Sequence, residues 1–387
     1  MGRFAYRDIQ PKTSEAAALD EGIFTIDLEG LDHISQLNLN CAVISTDDTD
    51  NGTPVWEVLH KVEVLGNGSS VIKSYSGSEL RAIAAYSGIS MTTLGNYIRH
   101  GTDDKSFHTF PILFGRYPGD TKYMLDTDAW DTIQLRGHWK ADDNTFNGTL
   151  YDETASPEWR YAADALVYEG GAPPGLSGYI KSSRIDEWTA AVSTRHPTEI
   201  PRGYPLRGII SSQSYTDLQW FNFYEKTRLD FDNGKWIPID ATYRQLQSMY
   251  NMWWPQPFDM SIYTDAADAN DFDTGFGWVT GMGAACGSGA QANLSLNHAP
   301  TFGRTDLIQC TTGGTVSTTE TSWLIWMQGM MPHHCLYFPM WWFADAGADA
   351  LPTAEYKRID FETTTDGTGT GGNCKNLAEY IVPQGQT

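Results

Sequence analysis

One glycine-rich stretch carries two side chains that could act as nucleophiles, Cys286 and Ser288. They lie in GMGAACGSGAQ, which spans residues 281–291. A cysteine or serine nucleophile needs a neighbouring base that takes up its proton. His298 is the nearest histidine in the sequence, but no spacing rule connects it to Cys286. We therefore interpret this stretch as a flexible loop and not as a catalytic site.

A second candidate, the motif PHHC that ends at Cys335, contains side chains that could bind a metal ion. A structural zinc site needs four ligands, which usually come from spaced pairs. In a strand, the adjacent residues His333 and His334 would point to opposite faces. We therefore expect two half-buried histidines between buried strands and no metal site.

Two acidic loops, at residues 46–52 and 264–275, contain the carboxylates that calcium prefers. Neither loop fits the spacing of a calcium-binding EF-hand. If Asp47 were the first ligand, Val58 would stand where the bidentate glutamate belongs. We expect both loops to be solvated acidic segments.

The fourteen tryptophans raise the possibility of carbohydrate binding, because a sugar ring stacks on an exposed aromatic face. The pairs Trp253-Trp254 and Trp341-Trp342 are the obvious candidates, although large aromatic residues are more often part of a two-sheet core. Glycoside hydrolysis would need two carboxylates about 5–10 Å apart, and the sequence cannot select a pair among 48 acidic residues. We predict no catalytic, cofactor-binding or metal-binding residue and no enzyme activity. A carbohydrate-binding or carbohydrate-active β-sandwich protein is the alternative function.

The composition indicates a folded, acidic protein rich in strands. The chain has 387 residues, of which 41% are hydrophobic and 19% are charged, enough for two domains with their own cores. Its net charge of −22 repels nucleic acid, so we expect no direct contact with nucleic acid. The five cysteines are widely spaced and form no C-x-x-C pair, which favours buried thiols in a reducing compartment.

The segment VLGNGSSVIKSYSGSELRAIAAYSG (residues 64–88) predicts a β-hairpin followed by a short helix. Asn67-Gly68 suits a type I′ turn, which needs positive φ at both central positions. Either Ser76 or Ser78 can cap the helix, and Gly88 can end it. The apolar face of this helix is formed by Leu80, Ile83 and Ala84.

Period-2 alternation predicts strands before this segment. It places two sets of apolar residues each on one face of a strand, Phe24 with Ile26 and Leu28, and Leu37 with Leu39 and Cys41. Further along, RIDEWTAAVS (residues 184–193) predicts a short helix after a glycine- and proline-rich linker.

The order strand, Asn-Gly turn, strand, short helix occurs a second time, 166 residues later, where Asn233-Gly234 and Leu246 take the places of Asn67-Gly68 and Leu80. The sequence therefore predicts an all-β chain of two tandem eight-stranded antiparallel jelly rolls with short helices and long loops. The predicted limits are an N-terminal arm at 1–20, a first jelly roll at 21–170, a linker with a short helix at 171–202, and a second jelly roll at 203–387 with a loop-rich insertion at 261–321.

The segments HISQLNLNCAVIS and VWEVLHKVEVLGNGSSVIKSYSGSELRAIAAY resemble the opening of the first barrel in double jelly-roll major capsid proteins of tailless icosahedral double-stranded DNA viruses, the tectivirus–adenovirus lineage. In that family a strand of the form I-x-K-I-x-V-x-x-N-G precedes a short G-x-x-L helix. The corresponding residues here are Leu59, Val62, Val64, Asn67, Gly68, Ser76, Gly77 and Leu80. The segment RIDFETTTDGTGTGGNCKNLAEYIVPQ resembles the closing strands of the second barrel.

The resemblance implies a structural major capsid protein. Three chains would form a homotrimer with a pseudo-hexagonal outline, and the trimers would tile an icosahedral virion shell over an internal membrane. The implied partners are other copies of the chain, minor capsid and vertex proteins, and the internal membrane, which the mildly basic N-terminal arm would contact. The expected location is the virion, after synthesis in the host cytoplasm.

Overall fold

The computed structural model of this chain describes residues 2–16, 21–45, 55–94, 104–140, 158–213, 224–266, 271–273, 276–286, 293–297, 304–312, 315–316, 321–366 and 372–386. The strands in these ranges pair antiparallel. None of the helices in the same ranges is long and apolar enough to cross a membrane.

Nine strands form the first barrel. They are β1 (Arg3–Ala16), β2 (Glu21–Asp27), β3 (His33–Ser45), β4 (Leu59–Gly66), β5 (Ser70–Tyr75), β6 (Asp104–Leu113), β7 (Leu125–Asp126), β8 (Ile133–Lys140) and β9 (Glu158–Glu169). Sheet I has the order β1-β9-β3-β6, with β7 beside β3, and sheet II has the order β2-β8-β4-β5.

Eight strands form the second barrel, and seven more lie in a segment inserted before its last three strands. In chain order they are β10 (Gly178–Thr189), β11 (Arg195–Glu199), β12 (Leu206–Gln213), β13 (Tyr224–Phe231), β14 (Trp236–Thr242), β15 (Phe258–Ala266), β16 (Asp271–Asp273), β17 (Phe276–Cys286), β18 (Asn293–Asn297), β19 (Arg304–Thr312), β20 (Thr315–Val316), β21 (Thr321–Pro332), β22 (Cys335–Pro339), β23 (Ile359–Thr365) and β24 (Asn373–Pro383). Sheet III has the order β10-β24-β12-β22, and sheet IV has the order β11-β23-β13-β14. The inserted strands form two small sheets, β15-β21-β17 and β16-β19-β18, with β20 beside β19.

The described residues contain three α-helices and three short 3-10 helices. The α-helices are α1 (Val55–Val58), α2 (Gly77–Tyr86) and α3 (Tyr243–Trp253), and the 3-10 helices are Met91–Leu94, Thr127–Ala129 and Met340–Trp342. Apart from α1, β7 and the inserted strands, each barrel runs as five strands, one helix and three strands, and equivalent strands hold equivalent places in their sheets. Thus β1 corresponds to β10, β5 to β14, α2 to α3 and β6 to β22. This arrangement confirms the prediction of two tandem antiparallel jelly rolls.

The predicted core faces of the first barrel are confirmed. In β2 and the residue after it, Phe24, Ile26 and Leu28 are at most 2% exposed. In β3 the residues Leu37, Leu39 and Cys41 are fully buried. Alternate residues of a strand point to the same face, so this burial follows from the period-2 pattern.

The hairpin and helix predicted in residues 64–88 are confirmed in detail. Asn67 and Gly68 have φ values of 49° and 73° between β4 and β5. Ser76 caps α2, because its Oγ accepts a 3.3 Å hydrogen bond from the Glu79 backbone N–H, while the Ser76 N–H donates a 2.7 Å hydrogen bond to Oε2 of Glu79. Gly88 follows the end of the helix with φ of 87°.

The second copy of this unit has a longer turn. Three consecutive residues between β13 and β14 have positive φ, Asp232 at 55°, Asn233 at 56° and Gly234 at 89°. The helix that follows buries Leu246, which is 2% exposed, against the second core. The repeat is therefore one of element order and not of identical local geometry.

The structure corrects the short helix predicted at residues 184–193. Residues 184–189 continue strand β10, which pairs with β24 from Gly178 opposite Pro383 to Thr189 opposite Asn373, and residues 190–193 follow the strand. The local sequence suited a short helix, but the hydrogen-bonding edge of β24 satisfies the backbone groups of residues 184–189 in a ladder. Long-range pairing overrides the weak local preference.

The structure places strands in three of the predicted ranges. The N-terminal arm contains β1, which pairs with β9 along most of its length. The linker at 171–202 contains β10 and β11, which belong to sheets III and IV. The described parts of the insertion at 261–321 contain strands. The domain limits themselves stay a prediction.

Candidate functional site at the junction of the two barrels

The glycine-rich stretch at residues 281–291, which the sequence predicts to be a flexible loop, begins in a strand, because residues 281–286 belong to β17 and pair with β21. Strand β17 ends at Cys286, whose side chain is not described, and Ser288 and His298 lie outside the described residues. The acidic loop at residues 46–52 also lies outside them, as do 267–270 and 274–275 of the second acidic loop. The loop interpretation is thus wrong for residues 281–286, in β17, and for 264–266 and 271–273, in β15 and β16. For the residues outside the described ranges it stays a prediction.

The two adjacent histidines lie in a turn and not in a strand. His333 and His334 connect β21 to β22 with φ values of 49° and 56°, because the chain reverses here, with the His334 N–H donating to the Met331 carbonyl at 3.2 Å. They are 4% and 5% exposed, so they are buried and not half-buried. Nε of Arg81 donates a 3.1 Å hydrogen bond to Nε2 of His333. Within the ranges that the structure describes, no group of three His, Cys, Asp or Glu side chains could hold a metal ion.

The tryptophan pairs take part in packing between the barrels. Trp253 and Trp254 lie edge to face with their ring centres 6.0 Å apart, and the Trp254 ring is 4.7 Å from that of Tyr86 on α2. The Trp341 ring lies 4.7 Å from the guanidinium of Arg207. Only the fourth member, Trp342, has more than half of its surface exposed, at 53%.

Three cysteines whose side chains are described are free and buried, Cys41, Cys335 and Cys374. Burial raises the pKa of the Cys41 and Cys335 thiols well above their usual range. Since the thiolate is the reactive form of cysteine, these thiols are packing residues.

Strands β12 and β22 of sheet III are buried on both of their faces. All eight residues of β12 and all five residues of β22 are buried. Ile209 and Phe338 belong to the core of the second barrel, whereas Ile210 and Tyr337 join the core of the first barrel. We call the contact between sheet III and the β5–α2 region of the first barrel the junction.

A buried group of charges lies at the junction. Nη1 of Arg207, on β12, is 2.9 Å from Oε2 of Glu379, on β24. The Tyr337 hydroxyl donates to the same carboxylate oxygen at 2.8 Å and accepts from Arg207 at 2.6 Å. From the first barrel, the Tyr75 hydroxyl donates to Oε1 of Glu379 at 3.2 Å and Nζ of Lys73 donates to that hydroxyl at 3.4 Å. One carboxylate therefore joins three strands of two barrels.

The protonation states in this group follow from burial and charge together. Burial alone would raise the pKa of Glu379, but the positive charges of Arg207 and Lys73 and two tyrosine hydroxyls hold it below its usual range. Burial lowers the pKa of Lys73 to about 8, against the opposing attraction of Glu379. At neutral pH the group thus contains two cations and one anion, all within a low-dielectric interior.

Helix α2 provides a second carboxylate at the junction. Oε1 of Glu79 accepts a 2.7 Å hydrogen bond from Oγ of Ser212 on β12. Nη2 of Arg184, on β10, lies 3.7 Å from its Oε2. Glu79 is 1% exposed, so the residue that completes the capping box of the helix also connects the helix to the second barrel.

The end of α2 contributes an aromatic contact. The Tyr86 hydroxyl donates a 2.7 Å hydrogen bond to the Cys335 carbonyl of β22. Its ring stacks on Tyr337 with centres 5.4 Å apart and lies edge to face with Phe258 at 5.2 Å. Aromatic pairs with this spacing add stability beyond the area that they bury.

A set of ion pairs outside the junction also connects the barrels. Asp349, in the loop region after β22, accepts from Nη1 of Arg116 at 2.8 Å, from Nζ of Lys122 at 2.5 Å and from the Tyr123 hydroxyl at 2.9 Å. Despite the opposing effect of burial, these donors lower the pKa of Asp349. The side chains are partly exposed, so each pair contributes less than a buried one.

Sequence reasoning missed the buried charges of the junction. The signal for them is a single charged residue inside an apolar strand, as in LRGII for Arg207, SVIKSY for Lys73 and LAEYIVP for Glu379. Such residues are rarely fully buried unless they are paired. Three such charged residues in separate apolar strands predict a buried network of charges. They do not predict which of the residues contact one another.

No protein-family profile and no curated protein sequence matches this chain. Several solved structures, in contrast, match this chain. The crystal structure of the major capsid protein of STIV has a TM-score of 0.55 and 11% identity, over 98% of this chain and 97% of that one. A quasi-atomic structure of the PBCV-1 virus capsid has a TM-score of 0.55 and 10% identity, over 98% and 94%. The atomic structure of Sulfolobus Turreted Icosahedral Virus has a TM-score of 0.54 and 10% identity, over 98% and 91%. The chain thus has the double jelly-roll fold of these viral major capsid proteins.

Proposed function

We propose that this chain is a major capsid protein, a structural building block that forms homotrimers with a pseudo-hexagonal outline and tiles an icosahedral virion shell. The fold supports this proposal, since the similarity to capsid structures extends over both barrels and over nearly the whole of both chains.

The observation that carries the proposal is an asymmetry between two equivalent faces. Sheet III of the second barrel is covered by β5 and α2 of the first barrel. The equivalent face, sheet I of the first barrel, carries three large apolar side chains that are exposed, Phe4 at 39%, Tyr6 at 65% and Phe107 at 55%. In the second barrel, α3 is the equivalent of α2, and its residue Met252 is 59% exposed.

A second copy of the chain fits these exposed faces. If α3 and β14 of one chain cover sheet I of the next, the contact inside the chain is repeated between chains. Such a contact is heterologous, since it joins two different surfaces, and it closes into a ring when the rotation per step allows it. Six similar barrels from three chains give a three-fold object with an almost hexagonal outline.

The remaining partners belong to the same proposal. The chain would contact minor capsid and vertex proteins in the virion, after synthesis in the host cytoplasm. Residues 1–20, with Arg3 and Arg7 in β1, would face an internal membrane, while the acidic body of the protein makes no direct contact with nucleic acid. The protein would act by assembly and not by catalysis.

Size-exclusion chromatography with light scattering tests this function. Three chains of 43.0 kDa give about 129 kDa, and electron microscopy of concentrated trimers or of the native source should show hexagonally arranged capsomers. A stable, correctly folded monomer that forms no higher assembly at any concentration would contradict the proposal. Circular dichroism separates that outcome from misfolding.

A further inference from the structure

A buried arginine without a carboxylate partner lies beside the junction. Arg81, on α2, is fully buried. Its Nη1 is 2.7 Å from Nδ1 of His108, on β6, and its Nε is 3.1 Å from Nε2 of His333, in the turn between β21 and β22. Among the described residues, no carboxylate lies within ion-pair distance of its guanidinium.

The geometry fixes the protonation of both histidines. A guanidinium can only donate hydrogen bonds, so Nδ1 of His108 and Nε2 of His333 must accept them with a free lone pair. Each imidazole is therefore neutral while the contact with Arg81 exists. A proton on either accepting nitrogen would replace a hydrogen bond with a contact between two cations.

The described groups that contact the guanidinium, apart from the two imidazoles, are one aromatic ring and two backbone carbonyls. The Trp56 ring of α1 lies 4.7 Å from the guanidinium, and the carbonyls of Leu94 and Met91 accept from it at 3.2 and 3.4 Å. The nearest carboxylate on α2 is Glu79, which is already bound by Ser76 and Ser212.

Among the described residues, the other titratable groups on elements next to the two histidines include two thiols, one more imidazole and Glu57 of α1, the helix that packs against α2 and β6. Cys41 stands opposite His108 in the ladder between β3 and β6. Cys335 and His334 follow His333 in the chain, and Sγ of Cys335 lies 3.3 Å from the His333 carbonyl. Burial keeps both thiols protonated by raising their pKa.

We propose that Arg81, His108 and His333 form an acid-sensitive contact, which holds α2 of the first barrel to the β21–β22 turn near neutral pH and releases it in mild acid. The turn belongs to the segment inserted in the second barrel, so its release would loosen that segment and the junction beside it. This role is separate from assembly and does not depend on the capsid function.

Linkage between protonation and opening gives the expected size of the effect. Burial, together with the charge of Arg81, lowers the pKa of His108 well below its usual range. In an open state, the His108 imidazole would recover a pKa of about 6.5. At pH 5, opening is then favoured about 30-fold through His108, whereas above pH 7.5 it is unchanged.

Hydrogen–deuterium exchange of the full chain tests the proposal. Protection factors, which correct for the intrinsic pH dependence of exchange, should fall at least about 10-fold between pH 7.5 and 5.0 in residues 77–86 and 321–339. Protection in β4 and β23 should stay constant. Equal protection of the first two segments at both pH values would overturn the proposal without any variant.

Two variants assign the effect to the proposed residues. In His108→Gln/His333→Gln, the amide oxygens can still accept from Arg81 but do not titrate, so protection should be independent of pH. His138→Gln, on the half-buried His138 of β8, is the matched control and should keep the acid-induced loss. If the double variant does not fold, His108→Gln alone should make the acid-induced loss of protection clearly smaller than in the wild type. A full acid response in the folded double variant, or its absence in His138→Gln, would also disprove the assignment.

Discussion

Oγ of Ser212, on β12 of the second barrel, donates a 2.7 Å hydrogen bond to Oε1 of Glu79, on α2 of the first barrel. The other oxygen of the same carboxylate accepts from the backbone N–H of Ser76 at 2.7 Å and so forms half of the capping box of α2. The side chain of Glu79 thus caps the first turn of α2 and connects the two barrels. Local helix formation and the relative placement of the barrels are coupled through this residue.

Replacing Glu79 should therefore cost more than the loss of a helix cap. We expect Glu79→Ala to lower the free energy of unfolding by about 2–4 kcal/mol, because it removes the cap and leaves the buried hydroxyl of Ser212 without its acceptor. Urea unfolding followed by tryptophan fluorescence measures this change. Ser78→Ala, one residue away on the same helix, is the control and should cost less than about 0.5 kcal/mol. Equal losses in the two variants would show that Glu79 has no special role.

The buried charges around Glu379 predict an order of stability among variants. Glu379→Gln leaves Lys73 and Arg207 buried without a carboxylate, so we expect a loss of about 3–5 kcal/mol. Arg207→Met removes one of the two cations and leaves Lys73 with Glu379, so its loss should be smaller, about 1–3 kcal/mol. Chemical unfolding of both variants under one buffer condition gives the order. A larger loss in Arg207→Met would mean that the hydrogen bond to Tyr337, and not charge balance, dominates the group.

The elements that could be predicted from sequence are those whose information is local. The Asn67-Gly68 turn, the Ser76 cap and the alternation in β2 and β3 depend on neighbouring residues, and all three are confirmed. Strand β10 was predicted in part as a helix because its partner, β24, lies almost 200 residues away in the chain. The junction could not be predicted for the same reason, since Glu79 and Ser212 meet only after both barrels have folded.

The depressed pKa of Lys73 predicts a rise in stability at alkaline pH. Burial lowers this pKa to about 8 from an ordinary value of 10.5. Between these two values, the unfolded chain binds a proton that the folded chain has released, so stability rises with pH across this window. Relative to Lys73→Met, which does not titrate, the wild type should gain about 3 kcal/mol between pH 7.5 and 10.5.

The test of this pH dependence is the difference between the two unfolding curves at each pH. Tyrosines and other lysines titrate in the same range, but they are present in both proteins and their contributions largely cancel. A difference that stays constant from pH 7.5 to 10.5 would show that the ammonium of Lys73 keeps its ordinary pKa inside the junction.

The exposed faces of sheet I and α3 make the most specific prediction about assembly. Met252→Glu and Phe107→Glu should each convert the trimer of about 129 kDa into a folded monomer of 43.0 kDa, because each places a charge in a desolvated contact. Ile23→Glu is the matched control. Ile23 is 65% exposed on β2 of sheet II, and the equivalent strand of the second barrel, β11, takes no part in the junction, so this variant should stay trimeric.

Mixing the two monomeric variants distinguishes a heterologous contact from a symmetric one. The Met252→Glu chain keeps an intact sheet I, and the Phe107→Glu chain keeps an intact α3, so the mixture can form one good contact and no second one. We expect a heterodimer of two 43.0 kDa chains, about 86 kDa by light scattering, that does not grow further. In a symmetric arrangement, each surface would instead contact its own copy across a two-fold axis. Each variant alone would then keep one unchanged surface and could still form a dimer through it. Dimers in the separate variants would therefore contradict the head-to-tail arrangement, whereas a dimer that appears only on mixing requires it.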